Sequence, residues 1–157
     1  MEKDLYIFFW GVNNGPFTQF LPTKFIENNL TFTSCEQYMM YNKAKYFKDD
    51  IIANKIIKES TPIKIKRLGR QVKGFNEDEW KKVREEIVYK GNYLKFSQNP
   101  DLKLLLLATK DKILVEAAPN DAIWGIGFNS ENAINNKNKW GLNLLGKALM
   151  KVRSDLK

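Results

Sequence analysis

A chain of 157 residues with 43% hydrophobic and 13% aromatic residues is long enough to bury a core and too apolar to be disordered. Lys and Arg total 26 against 18 Asp and Glu, a net charge of +8 that favours anionic partners or serves solubility; the charges are scattered, with no dense basic tail. With no His and a single Cys, Cys35, the chain excludes Ser-His and Cys-His nucleophiles, Cys/His zinc sites and an internal disulfide, which leaves acid–base work to Asp, Glu, Lys, Tyr or Cys.

Met-Glu-Lys-Asp at the start is no secretory signal, and the longest aliphatic cluster, Leu104 to Ala108, is far short of a membrane span. A soluble cytoplasmic protein without a membrane partner is expected. Leu5 to Trp10 is apolar and β-rich and predicts a buried strand closing on Gly11. Asn13-Asn14-Gly15-Pro16 predicts a turn, and Phe25 to Phe32, with Asn28-Asn29 in the middle, a short hairpin or bent strand pair. The stretch Thr33 to Phe47 reads mostly as one amphipathic helix, capped by Thr33 or Ser34 with Glu36 or Gln37 as the capping-box partner.

A second helix is expected over Asp49 to Lys58 and a short third over Ile63 to Arg70, stopped near Gly69. Asn76 caps a helix whose first turn, Glu77-Asp78-Glu79, suits the helix dipole, and which reaches as far as Phe96 past Gly91. Asn99-Pro100 starts another, with Asn as cap. Ile113 to Ala117 is a strand candidate. Pro119-Asn120-Asp121 turns into the apolar run Ala122 to Ile126, Asn129 to Lys139 is polar and loop-like, and a last helix spans about Asn143 to Val152. These elements predict one α+β domain over residues 1–157, helix-dominated with a small β-sheet.

On the first helix Glu36, Met40 and Lys43 share a face. The acid and the amine stand two turns apart, roughly 10 Å. Helical side chains lean toward the N-terminus, so Lys43 reaches back over Met40 toward Glu36. The plainer reading makes Glu36 a first-turn acid and Lys43 a solvated side chain. Against it, Phe32, Cys35, Tyr38, Tyr41 and Phe47 leave little polar surface on this helix.

Several stretches together carry a resemblance. They are Gly15-Pro16-Phe17-Thr18-Gln19-Phe20; Glu36-Gln37-Tyr38-Met39-Met40-Tyr41 with Lys43-Ala44; Gly69-Arg70 with Val72 and Phe75; and Asn92 with Lys95-Phe96-Ser97-Gln98-Asn99. Leu114-Val115-Glu116-Ala117 with Pro119, Asp121 and Ile123-Trp124-Gly125-Ile126-Gly127 follows, then Asn143 to Met150. Over about residues 8 to 153 the chain resembles the NADAR-domain family of YbiA-like N-glycosidases. It departs at Ala118, where the family often has Ser, and at the adjacent pair Trp140-Gly141, where the family often has a residue between.

The resemblance implies a YbiA-like fold, no cofactor and no metal, and cleavage of the bond between a ribose anomeric carbon and a nitrogen. The implied substrates are ADP-ribose linked to guanine in nucleic acid, or phosphoribosylamino intermediates of riboflavin synthesis; a non-catalytic ADP-ribose or NAD binder is the remaining alternative. Such cleavage builds positive charge on the sugar and needs a carboxylate there and a proton donor at the departing base. Glu36 and Asp121 are the carboxylates in the family motifs, and Lys43 maps onto the proposed nucleophilic Lys. The covalent route passes through a Schiff base on Lys43, with Glu36 taking its proton. The rival is direct hydrolysis with Glu36 or Asp121 activating water.

Asp121 reads otherwise as an Asx-turn residue. Trp124 and Gly125 offer an aromatic face beside a close-approach backbone, and Trp10, Gly11 and Phe17 a further wall, although Trp10 reads equally as a core aromatic. Tyr38, Arg70, Asn92 and Lys95 are candidates for ribose or phosphates, and Asn143 either touches the ligand or caps the last helix. Cys35 reads as packing. The expectation that ties these together is that Glu36, Lys43 and Asp121 converge on one cavity sized for a phosphorylated sugar.

Overall fold

The computed structural model describes residues 2–11 and 15–157. In chain order the elements are β1 (Tyr6–Phe9), β2 (Phe25–Glu27), β3 (Leu30–Phe32), α1 (Cys35–Tyr46), α2 (Asp50–Lys58), α3 (Pro62–Gly69), α4 (Glu77–Gln98), α5 (Pro100–Leu107), β4 (Ile113–Glu116), α6 (Ser130–Ala133) and α7 (Leu144–Leu156). Single 3-10 segments cover Glu2–Leu5 and Ile134–Lys139. The architecture is helix-dominated α+β, with two two-stranded ladders where one small sheet was expected. Two compact units divide it, Pro22–Gln98 and the flanking pair Met1–Leu21 with Asn99–Lys157.

In the unit Pro22–Gln98 the hairpin turns on Asn28 and Asn29, both at positive φ (52° and 67°), the backbone a two-residue turn between twisted strands requires. Pairing Phe25 with Phe32 puts both rings on one face, where they stack at 5.7 Å and cover Cys35 and Tyr38. The helix that follows is closed by a reciprocal cap. Ser34 Oγ accepts from the Gln37 amide (3.1 Å), and Gln37 Oε1 accepts from the Thr33 amide (2.7 Å).

Cys35 through Met40 are all buried, so the first half of α1 is enclosed on every side and is not the amphipathic helix its sequence suggested. The reason is that α2, α3 and α4 all pack on it. Gly91 lets α4 approach: a Cβ there would stand 2.7 Å from Tyr38 Cδ1. Asn76 caps α4 through the Glu79 amide (3.0 Å), and the helix runs past its expected end to Gln98. There the Gln98 amide bonds both Ile26 N and Ile26 O at 2.8 Å and pairs the free edge of β2.

In the other unit β1 and β4 run parallel, Tyr6 opposite Ile113 and Phe9 opposite Glu116. Leu114 and Val115 of β4 are fully buried, as are Leu145, Leu149 and Val152 of α7. Asn99 stands at the start of α5 without a side-chain cap bond to it, contrary to expectation. The run Ala122 to Ile126 forms no strand; its carbonyls accept instead from the successive amides of Gly141 through Leu145. Residues 130–139, within the stretch expected as loop, are helical. Asn129 caps α6 through the Asn132 amide (3.0 Å), and Trp140 Nε1 closes the segment onto Ala133 O (2.8 Å). Asn13 and Asn14 of the expected early turn lie outside the described residues; Gly15 has φ +86°. Among the described residues no helix is long and apolar enough to cross a membrane.

Candidate active site

The unit Pro22–Gln98 builds an unusual setting for one amine. Lys43 lies on the last turn of α1 and is half-buried. Its Nζ donates to Gly69 O at the end of α3 (3.0 Å) and stands 4.6 Å from the centre of the Phe75 ring and 6.0 Å from that of Trp80. Among the described residues no carboxylate forms an ion pair with it. Burial pushes its pKa below the ordinary lysine value; the charges of Glu36 and Glu77 pull it back up, and Arg70 adds to the lowering. An ammonium so placed gives up its proton more readily than one in water.

Glu36 is buried at 4% exposure in the first turn of the same helix. Its field reaches both Lys43 and Cys35, raising each of their pKa values. Cys35 is buried, with its thiol pushed up to about 11 chiefly by desolvation, which makes it an inert packing group. Its Sγ donates to Asn92 Oδ1 (3.5 Å), while Asn92 Nδ2 donates to Val88 O (2.9 Å). Lys95, on the same helix as Asn92, is fully buried with Nζ 4.9 Å from the Phe96 ring centre; burial lowers its pKa and Cys35 opposes this. Tyr38 belongs to the core, its hydroxyl donating to both oxygens of Glu27 (3.0 and 3.2 Å), which Lys90 also pairs (3.1 Å). Arg70 caps the C-terminal end of α3 and is exposed.

Asp121, Trp124, Gly125, Asn143, Trp10, Gly11 and Phe17 belong to the other unit. Asp121 Oδ1 accepts from the amides of Ile123 and Trp124, both at 2.9 Å, the bonds of an Asx turn. What approaches Gly125 is the chain's own backbone: a Cβ there would lie 2.7 Å from Glu116 O and 2.9 Å from Asp121 O. Asn143, at φ 52°, accepts from Glu116 N and donates to Leu114 O, both at 3.0 Å, and so clamps β4 at the start of α7. Trp10 is exposed, Gly11 has φ +91°, and Phe17 is buried edge-on to Phe9 at 5.8 Å.

Three residues around Lys43 were not singled out as site residues: Gly69, Phe75 and Trp80. Gly69 was read as a helix stop. The helix α3 does end there, and the same residue is where two helices touch, since a Cβ would stand 2.0 Å from Met40 Sδ. Asp49 contributes at one remove. One carboxylate oxygen caps α2 through Ile52 N (3.1 Å), and the other accepts from Lys73 N (2.9 Å), tying down the segment that carries Phe75. Among the described residues no three acids or thiols are grouped to hold a metal ion.

The family model described as the NADAR domain matches residues 8–157. The chain is 47% identical over 167 residues to the N-glycosidase R617 of Acanthamoeba polyphaga mimivirus, covering 99% of this chain and 98% of that protein. It is 31% identical over 156 residues to the N-glycosidase YbiA of Escherichia coli (strain K12), covering 98% and 90%. The NMR structure of the E. coli protein YbiA superposes with a TM-score of 0.77 at 29% identity, over 98% of this chain and 85% of that one.

Proposed function

This chain belongs to the NADAR-domain family, and we propose that it is an N-glycosidase that releases a phosphorylated ribose from a nitrogen base, with ADP-ribose on guanine in nucleic acid as its substrate. The observation that carries the reading is the Lys43 amine, half-desolvated under Phe75, bonded to a neutral carbonyl and, among the described residues, joined to no carboxylate in an ion pair. A nucleophilic lysine needs what this one has: a setting that favours the neutral amine, with a carboxylate on the same helix to take the proton.

In the covalent route Glu36 takes a proton from the Lys43 ammonium. The free amine then forms a bond to the anomeric carbon as the bond from that carbon to the base nitrogen breaks. The leaving electron pair stays on the base, which picks up a proton. The ring oxygen next leaves the anomeric carbon, is protonated, and a Schiff base results. Water adds to it and returns Lys43 and the free sugar. Arg70 and Lys95 are the cations assigned to phosphate.

The test is incubation with an ADP-ribosylated guanine oligonucleotide and, separately, with a phosphoribosylamino-pyrimidine, reading released base and sugar by mass spectrometry. Wild type should release ADP-ribose from the oligonucleotide, and the Lys43→Ala and Glu36→Ala variants should not. Release of ribose 5-phosphate from the pyrimidine alone would replace the guanine substrate with the smaller one. Tight ADP-ribose binding with neither product would reject the enzyme.

A further inference from the structure

One stretch of this chain is more basic than the rest. Between Lys58 and Lys73 six basic residues stand against a single acid, Glu59, in a chain whose whole surplus is +8. The helix α3 buries Ile65 and Gly69. Helical spacing puts Lys64 and Arg67 on the opposite side, and both are exposed, as are Lys66, Arg70 and Lys73. Among the described residues Lys64, Arg67 and Arg70 enter no ion pair. Glu59 feels the charge of Lys64, but its carboxylate is bonded to the amides of Ser60 and Thr61. Two of the three acids that open α4 are matched by contrast, Glu77 with Arg84 at 3.6 Å and Glu79 with Lys82 at 3.1 Å.

Helix stability explains only part of this. Arg67 and Arg70 suit the negative end of the α3 dipole, whereas Lys64 sits in the first turn, where a cation is unfavourable. The C-terminal carbonyl of the same helix, Gly69 O, is the one that holds Lys43.

We propose that the outward face of α3 binds the sugar-phosphate backbone of a single-stranded nucleic acid and leads it toward Lys43. Lys64 and Arg70 stand roughly 9 Å apart along the helix, the reach of two or three phosphates of one strand. A single strand is favoured because a modified base stacked in a duplex would first have to be flipped out, at a cost of a few kcal/mol, to bring the anomeric carbon of its attached ribose to a half-buried amine. A bilayer fits less well: Ile63 is the one exposed large apolar side chain of α3, and membrane-surface helices present an apolar face. The binding stands on the charge alone; that the strand leads to Lys43 rests on the N-glycosidase reading.

The test is fluorescence anisotropy with an unmodified single-stranded oligonucleotide, repeated across a salt series. The double variant Lys64→Gln/Arg67→Gln is compared with Lys139→Gln/Lys147→Gln, which removes equal charge from exposed positions of the other unit. Thermal melts check that each variant is folded. The first pair should weaken binding about tenfold and make the log–log salt slope shallower by about 1.4, two phosphate contacts at roughly 0.7 each. The second pair should bind as wild type does. Equal loss in both pairs, no loss in the first, or no wild-type affinity overturns the proposal. So does a first pair that keeps the oligonucleotide and loses only phosphatidylserine vesicles. Turnover of free ADP-ribosylated guanosine is read separately and should be unchanged in the first pair. Failure of wild type to turn it over counts against the N-glycosidase reading and leaves the binding result standing.

Discussion

Replacing Gly69 with Ala asks whether the contact between α1 and α3 is what holds the lysine. Gly69 lies in helical conformation at the end of α3, so Gly69→Ala by itself should gain up to about 1 kcal/mol of helix propensity. Against that gain, an ideal Cβ would stand 2.0 Å from Met40 Sδ and 3.0 Å from Met40 Cγ. Met40 is buried at 7% exposure and must turn away or push α3 outward, and overpacking of this kind costs about 1–3 kcal/mol. The net loss should be about 1 kcal/mol, a fall in melting temperature of about 2–4 °C for a chain of this length. Because the same displacement loosens Gly69 O from Lys43, kcat/KM should fall about fivefold, the worth of one hydrogen bond. Thermal unfolding and product release measure the two effects. Truncating the obstruction should relieve the first: in a Met40→Ala background Gly69→Ala should cost about 2 kcal/mol less, leaving the propensity gain of up to about 1 kcal/mol. A variant as stable as the parent, or an equal cost in both backgrounds, would refute the reasoning.

The lowered pKa of Lys43 sets the sign of the pH dependence. As pH rises through that folded-state value the free amine forms and kcat/KM should rise, and Lys43→Met should abolish the limb. Stability follows the same sign. The unfolded chain holds this proton up to the ordinary 10.5, more firmly than the folded chain does, so stability is reduced below the folded pKa and recovered as pH climbs from there toward 10.5. Chemical denaturation at stepped pH should find this rise in wild type and a flatter profile in Lys43→Met. Asn143→Ala should cost about 2–4 kcal/mol in denaturant unfolding, because it removes both bonds to β4 and leaves Ala in a left-handed conformation. Tyr38→Phe should cost about 1 kcal/mol and leave turnover within about twofold, since the hydroxyl it loses is bonded to Glu27.

What could be read from sequence was local. Asn28-Asn29 between two apolar runs announced the hairpin because few residues accept positive φ at two adjacent positions. Ser34 with Gln37 announced the start of α1, since the cap bonds span only four residues. The Asn-rich stretch 129–139 misled because side-chain polarity says nothing about the backbone, and the bond that closes it comes from Trp140. The site divided in the same way. Lys43 and Glu36 stand at helical spacing and could be paired on paper. The groups that give Lys43 its character arrive from 26 residues on, at Gly69, and from further on, at Phe75 and Trp80. The one available signal, a Gly before Arg70, was read only as the end of a helix, which it is, because glycine is so common at helix ends. Here its missing side chain makes room for Met40.

The claim at the centre of this account is that the Lys43 amine becomes bonded to the sugar during turnover. Sodium borohydride added during the reaction reduces a Schiff base to a stable secondary amine, and peptide mass spectrometry locates it. Wild type should carry the sugar adduct on the peptide containing Lys43, and Lys43→Ala should carry none. Full product release from wild type with no adduct on that peptide, or an undiminished adduct in Lys43→Ala, would contradict it.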